Sequence, residues 1–121
     1  MRAAGRAPWL SLIHILPNLS LGVPVLKCLH SAVDAFYDVH LMIQNPLKYV
    51  DAFCKAGADL ITFHIEADSP VDETIDAIHA SGAKAALCIK PATPAEAVFP
   101  YLDRLEMVLV MSCLLYTSRC V

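Results

Sequence analysis

Apolar and polar positions alternate along residues 35–43. Tyr37, Val39 and Leu41 fall on one face, and Asp38, His40 and Met42 on the other, the period of a strand. Residues 58–67, 84–90 and 107–112 are short apolar runs rich in Ile, Val, Thr and Phe, and read as three further strands. Helical spacing fills the gaps. A helix is predicted over 24–32, with Pro24 in its first turn, and another over 46–56, with Leu47, Val50 and Phe53 or Cys54 on its buried face and Gly57 closing it. A third opens at Ser69-Pro70, runs through Val71, Ile75 and Ile78, and stops at Gly82. A fourth opens at Thr93-Pro94 with Val98 and Leu102 as anchors, although Pro100 must kink or shorten it.

The starts of the last three helices repeat. Asn45-Pro46, Ser69-Pro70 and Thr93-Pro94 are each 24 residues apart, and each sets a good N-cap before a proline. Ser69 with Asp72, and Thr93 with Glu96, have N-cap-to-N3 spacing, and the second pair predicts a capping box. A repeated βα unit implies a parallel sheet with right-handed crossovers. An open doubly wound sheet satisfies that pattern, but tight repetition with short loops favours an α/β barrel, here a partial (β/α)8 TIM barrel of about four units. A histidine at the C-terminal end of such a strand, as His40 is, stands where these folds keep their chemistry.

Composition narrows the function classes. The chain has 121 residues, 57% of them hydrophobic and 17% charged, which suits strands covered on both faces. A net charge of −3 without a basic cluster argues against a nucleic-acid partner. The longest apolar runs are too short for a membrane span. Arg2, Arg6 and the run from Trp9 to Leu16 mimic a signal peptide loosely, but His14 interrupts the run and Pro17-Asn18 replaces a small-residue cleavage site. The five cysteines form no Cys-x-x-Cys pair and read as buried free thiols, as in a reducing cytoplasm.

The chain resembles the ribulose-phosphate 3-epimerase family. The resemblance rests on Pro17-Asn18-Leu19-Ser20-Leu21-Gly22, Asp38-Val39-His40-Leu41-Met42-Ile43 and Lys55-Ala56-Gly57-Ala58-Asp59. Phe63-His64-Ile65-Glu66-Ala67, Lys90-Pro91-Ala92-Thr93-Pro94 and Met107-Val108-Leu109-Val110-Met111-Ser112 extend it. It implies a TIM barrel that interconverts D-ribulose 5-phosphate and D-xylulose 5-phosphate in the pentose phosphate pathway. It also implies a divalent metal (Zn, Fe, Mn or Co) held by two histidines and two aspartates, the aspartates exchanging protons with the substrate carbon. By position, His40 matches a metal-ligand histidine that also touches substrate, and Met42 and Met111 match substrate-lining methionines. The first strand's serine, the His-x-Asp strand before Pro17 and the C-terminal Asp-Gly-Gly strand have no counterpart. No catalytic residue is therefore assigned, metal retention is not expected, and little or no activity is expected of this chain.

Other readings are an allulose-6-phosphate 3-epimerase fragment, or a non-catalytic half-barrel that folds only on dimerisation; a homo-oligomer is allowed. His64 and Glu66 share parity and could form an acid/base pair, but packing or support is the favoured role. Lys90 is expected to hydrogen-bond at the barrel mouth. His30 and His79 fall on solvated helix faces.

Residues 1–16 and 113–121 are expected to be non-native, or in the first case disordered, flanking a domain at 17–112. Residues 10–15 can be encoded as CTG TCT CTT ATA CAC ATC. The same string shifted by one base encodes Cys113-Leu114-Leu115-Tyr116-Thr117-Ser118, and Arg119-Cys120-Val121 followed by a stop fits its inverted copy. It resembles a transposon end used in preparing sequencing libraries, which makes His14 adapter-coded. Independent sequencing of the source DNA checks this: the same codons uninterrupted in native DNA would sink it.

Overall fold

The computed structural model describes the backbone of residues 7–15, 22–114 and 119–120, and the side chains of residues 22–112. In chain order the elements are β1 (Ala7–Ile15), α1 (Val23–Ala32), β2 (Ala35–Met42), a 3-10 turn (Pro46–Tyr49) leading into α2 (Val50–Lys55), and β3 (Leu60–His64). Then come α3 (Val71–Ala80), β4 (Lys84–Ile89), a 3-10 stretch (Ala95–Arg104), β5 (Met107–Val110), and the two-residue strands β6 (Cys113–Leu114) and β7 (Arg119–Cys120).

Strands β1 to β5 form one sheet in sequential order, every neighbouring pair parallel. An unreversed order means that each crossover steps the same way, so right-handed connections keep the helices on one face. A doubly wound sheet instead reverses its order at a switch point. The core confirms the one-sided arrangement. Tyr37, Val39, Leu41, Ile61, Phe63, Ala85, Leu87 and Ile89 form one cluster with Leu26, Val50, Phe53, Ile75, Ile78 and Val98 of the helical segments. The opposite strand parity, with Asp38, His40, Thr62, His64 and Cys88, is the inner face of a curved sheet. Of the two architectures the pattern allowed, this is the partial barrel.

Local chemistry departs from expectation at the helix starts. The hydroxyls of Ser69 and Thr93 do not cap their own helices, which begin after Pro70 and Pro94 without a side-chain cap. Ser69 Oγ instead donates to Asn45 Oδ1 at 2.9 Å and accepts the Leu47 N–H at 3.4 Å, serving the preceding unit's first turn. Thr93 Oγ1 donates to Glu66. Adjacent repeats lie side by side, so a hydroxyl in one reaches the next more readily than its own N3 amide. The predicted helix at 46–56 is split by its 3-10 first turn. The stretch after Thr93 is 3-10 throughout, because Pro100 offers no N–H and its ring crowds the carbonyl four residues back.

Residues 1–16, set apart as a leader, contain β1, whose backbone pairs with β2 from Ala7↔Ala35 to Ile15↔Met42. An apolar run beside an open parallel edge satisfies that edge's N–H and C=O groups, whatever its origin. Within 113–121, also set apart, β6 and β7 pair antiparallel.

The two predicted glycine stops are Schellman caps. Gly57 and Ala58 donate their N–H groups to Cys54 O (3.0 Å) and Phe53 O (3.1 Å); Gly82 and Ala83 do the same to His79 O (2.9 Å) and Ile78 O (3.2 Å). Both glycines have positive φ, 111° and 85°. A Cβ on Gly57 would lie 2.2 Å from the His30 ring, whereas one on Gly82 meets nothing within 4 Å. Gly82→Ala is therefore expected to cost about 1–2 kcal/mol from backbone conformation alone. Gly57→Ala should cost clearly more, because the His30 ring must also leave its place beside Tyr37. Urea melts of the two variants check this; equal losses would refute the steric contribution.

Candidate functional site

His40 lies near the C-terminal end of β2, His64 closes β3, and Cys88 is the next-to-last residue of β4. Their sequence neighbours Val39, Leu41, Phe63, Leu87 and Ile89 point to the helices, so strand parity turns all three to the inner face. They recur at the 24-residue interval of the helix starts, each at the same place in its βα unit. All are buried, at 5%, 7% and 0% relative exposure.

The two imidazoles meet directly. His40 Nε2 is 2.9 Å from His64 Nε2, and the rings stack with centroids 5.0 Å apart. One nitrogen must carry the proton and the other a lone pair, which excludes a doubly charged pair. Burial, and next the adjacent His64, push His40 down to about 4. Burial also lowers His64, with Glu66 opposing and Lys90 reinforcing. Cys88 is pushed up to about 12 by burial first and by Glu66 second, so it is a thiol at neutral pH. The face thus presents neutral, buried nitrogen and sulfur donors.

Glu66 stands behind His64. Its Oε1 accepts the Lys90 backbone N–H at 2.8 Å and the Thr93 hydroxyl. Burial works against its carboxylate, yet these donors and His64 together keep its pKa below the ordinary value. Its Oε2 is 3.5 Å from His64 Nδ1, which is buried without a hydrogen-bond partner. At this end of the sheet it is the Lys90 main chain that bonds Glu66, a contact that does not depend on the lysine side chain. One strand step below, the Thr62 hydroxyl donates to Asp38 Oδ1 at 3.2 Å, while burial raises the Asp38 carboxyl and that bond partly offsets it.

The expected site residues are placed unequally. Met42, half-buried, shares the inner-face parity of His40 at the end of β2. Met111, also half-buried, follows β5 and donates its N–H to Ile89 O at 3.0 Å. It is separated from His40 by β3 and β4. The structure instead brings His64 and Cys88 to His40. Sequence reasoning weighed His64 only with Glu66 and treated Cys88 as core. The repeat interval, applied to His40 rather than to the prolines, would have pointed to both.

The model of the Ribulose-phosphate 3 epimerase family matches residues 13–114. The chain belongs to this family. Ribulose-phosphate 3-epimerase from Treponema pallidum (strain Nichols) is 42% identical over 99 residues, covering 82% of this chain and 45% of that protein. A rice relative (Oryza sativa subsp. japonica), named as the cytoplasmic isoform of ribulose-phosphate 3-epimerase, is 42% identical over 103 residues, with 82% and 45% covered. The Mycobacterium tuberculosis H37Rv enzyme is 44% identical over 100 residues, with 82% and 43% covered. The chain thus spans less than half the length of these epimerases. Among the described residues no helix is long and apolar enough to cross a membrane.

The divalent metal implied by family resemblance can be tested against these residues. His40 fits as a donor: it is buried, neutral and at the C-terminal strand end, with its Nε2 facing another donor group. Around it stand a second imidazole and a thiol, rather than the implied aspartates.

Proposed function

We propose that this chain is an internal segment of a ribulose-phosphate 3-epimerase and by itself turns over little or no substrate. The observation that carries the reading is His40 at the C-terminal end of a sequentially ordered parallel strand, within a family match of 102 residues, 13–114. In the whole enzyme the reaction is the interconversion of D-ribulose 5-phosphate and D-xylulose 5-phosphate by proton removal and return at C3. His40 would be one ligand of the metal, which when bound polarises the ketone as a Lewis acid. Met42 and Met111 would line the substrate without offering protons that quench an enediolate. The proton-transfer aspartates have no counterpart here, so the chain's own residues bind and orient but do not move the C3 proton. A reducing cytoplasm fits the free thiols of Cys28, Cys54 and Cys88 and the printed name of the rice relative.

General acid–base groups each contribute about 10²–10⁴-fold in rate. With zinc, iron, manganese or cobalt supplied, epimerisation by this chain is expected to fall at least that far below a full-length relative assayed in parallel. Comparable turnover would overturn the reading.

A half-barrel that pairs with a second copy is the second reading, favoured by the outer position of β5 and by Val110, 68% exposed on it. Sedimentation of the same preparation distinguishes the two: concentration-dependent folded dimers support pairing, and a folded monomer excludes it. The family match takes in residues 13–16 and 113–114 of the two segments read as non-native, and leaves out 1–12 and 115–121.

A further inference from the structure

The contact between the two imidazoles allows two proton arrangements, and the groups around the rings distinguish them. His40 Nε2 and His64 Nε2 are 2.9 Å apart, so one donates and the other accepts. A neutral imidazole has a single N–H, so the choice at this contact also fixes the outer nitrogen of each ring. If His40 donates, its Nδ1 keeps a lone pair and His64 Nδ1 carries a proton. If His64 donates, both are reversed.

Glu66 separates the two. His64 Nδ1 is buried without a hydrogen-bond partner and faces Glu66 Oε2 at 3.5 Å. That distance is long for a hydrogen bond, but across it a carboxylate still attracts an N–H dipole and repels a lone pair. Despite its burial, Glu66 is held by its donors below the ordinary carboxylate range, so at neutral pH it can only accept. It is also anchored, because Oε1 takes the Lys90 N–H at 2.8 Å and the Thr93 hydroxyl, leaving Oε2 toward His64. Neither remaining inner-face group competes for the rings. The Cys88 thiol is directed to the Ile89 carbonyl at 3.9 Å, and the Thr62 hydroxyl to Asp38. The proton belongs on His64 Nδ1.

We propose that Glu66 is a positioning residue for His40, acting through His64 to fix which ring nitrogen His40 offers to a ligand. The carboxylate draws the His64 proton to Nδ1, His64 Nε2 accepts from the His40 Nε2–H, and His40 keeps its lone pair on Nδ1. Histidines that ligate metals almost always donate their other ring N–H to a carboxylate, carbonyl or water. Here the acceptor is a neutral imidazole, and the carboxylate stands one residue further back. Consecutive βα units share the work: β2 carries the histidine that is aimed, β3 and its loop carry His64 and Glu66, and the loop after β4 anchors the carboxylate. The tautomers follow from this chain's own geometry and hold if the epimerase reading fails; the use of Nδ1 toward a metal rests on that reading.

Long-range proton–nitrogen correlation spectra of the full, metal-free chain with nitrogen-15-labelled histidine, at neutral pH, read the tautomers without a variant. His40 should show a pyrrole-type Nε2 and a pyridine-type Nδ1, and His64 the reverse. The opposite pattern, or averaged shifts in either ring, overturns the proposal. Glu66→Gln is the sharper arm. Its amide oxygen can keep the Lys90 N–H and the Thr93 hydroxyl, which turns the NH2 group toward His64 Nδ1. That nitrogen must then accept, so the pyrrole-type and pyridine-type shifts should exchange in both rings. Averaged shifts in the variant would also support Glu66 as the group that directs the proton. Glutamine has nearly the shape of glutamate, so a side chain that merely packs against His64 would leave the parent pattern in place, and that result would remove Glu66 from its role.

Discussion

Phe63→Ala is expected to cost about 3–5 kcal/mol of folding stability. Phe63 is fully buried in the central strand of the five-stranded sheet, on the helix-facing side. In register it lies between Leu41 of β2 and Leu87 of β4, both also fully buried. Its ring therefore fills space between two strands and the helices above them. Those strands are fixed by ladder hydrogen bonds on either side of β3, so the site cannot collapse around a methyl group, and much of the cavity remains. Single domains have only about 5–15 kcal/mol in reserve, so the loss takes a large part of it. Phe63→Leu, which restores most of the volume, should cost under about 1.5 kcal/mol. Urea denaturation monitored by circular dichroism reads both. A Phe63→Ala loss no greater than that of Phe63→Leu would mean the site repacks, contrary to the constraint placed on it by the flanking strands.

The second large effect concerns the histidine pair. His64→Leu removes one partner of the 2.9 Å contact and leaves the buried His40 Nε2 without it. An unsatisfied buried polar group costs about 1–3 kcal/mol, and the metal-free chain should lose about that much. Replacing both histidines by leucine removes the orphaned group as well as the bond. The double variant is then expected to be at least as stable as either single variant, and close to the parent. The signature is strong non-additivity, which a double-mutant cycle in the presence of a chelator measures. Additive losses would show that the rings contribute by packing alone. The expected outcome has a functional meaning: a core without the pair is at least as easy to fold, so stability does not account for two imidazoles side by side on the inner face.

Much of the fold was legible because its unit is local. Residues 35–43 and 84–90 were read as strands, and the structure has Ala35–Met42 and Lys84–Ile89. The glycine stops at 57 and 82 were read correctly because a positive φ needs glycine wherever it occurs. The site was legible only at His40 and its neighbours on β2, where the motif is contiguous. Cys88 looked like core, and is fully buried as core would be; only its ladder partner, His64, reveals that it lies beside the imidazole pair.

The sequence by itself determined the repeating βα unit, the parity that separates a helix-facing apolar face from a face bearing Asp38, His40 and Met42, and the family. These are properties of short stretches, set by side-chain period and backbone preference. Tertiary structure decided which repeat serves which. Ser69 reaches back to Asn45, Thr93 to Glu66, and His64 stands between His40 and Cys88. Sequential parallel pairing brings equivalent positions of consecutive units within hydrogen-bond distance, while along the chain they remain a full strand, loop and helix apart.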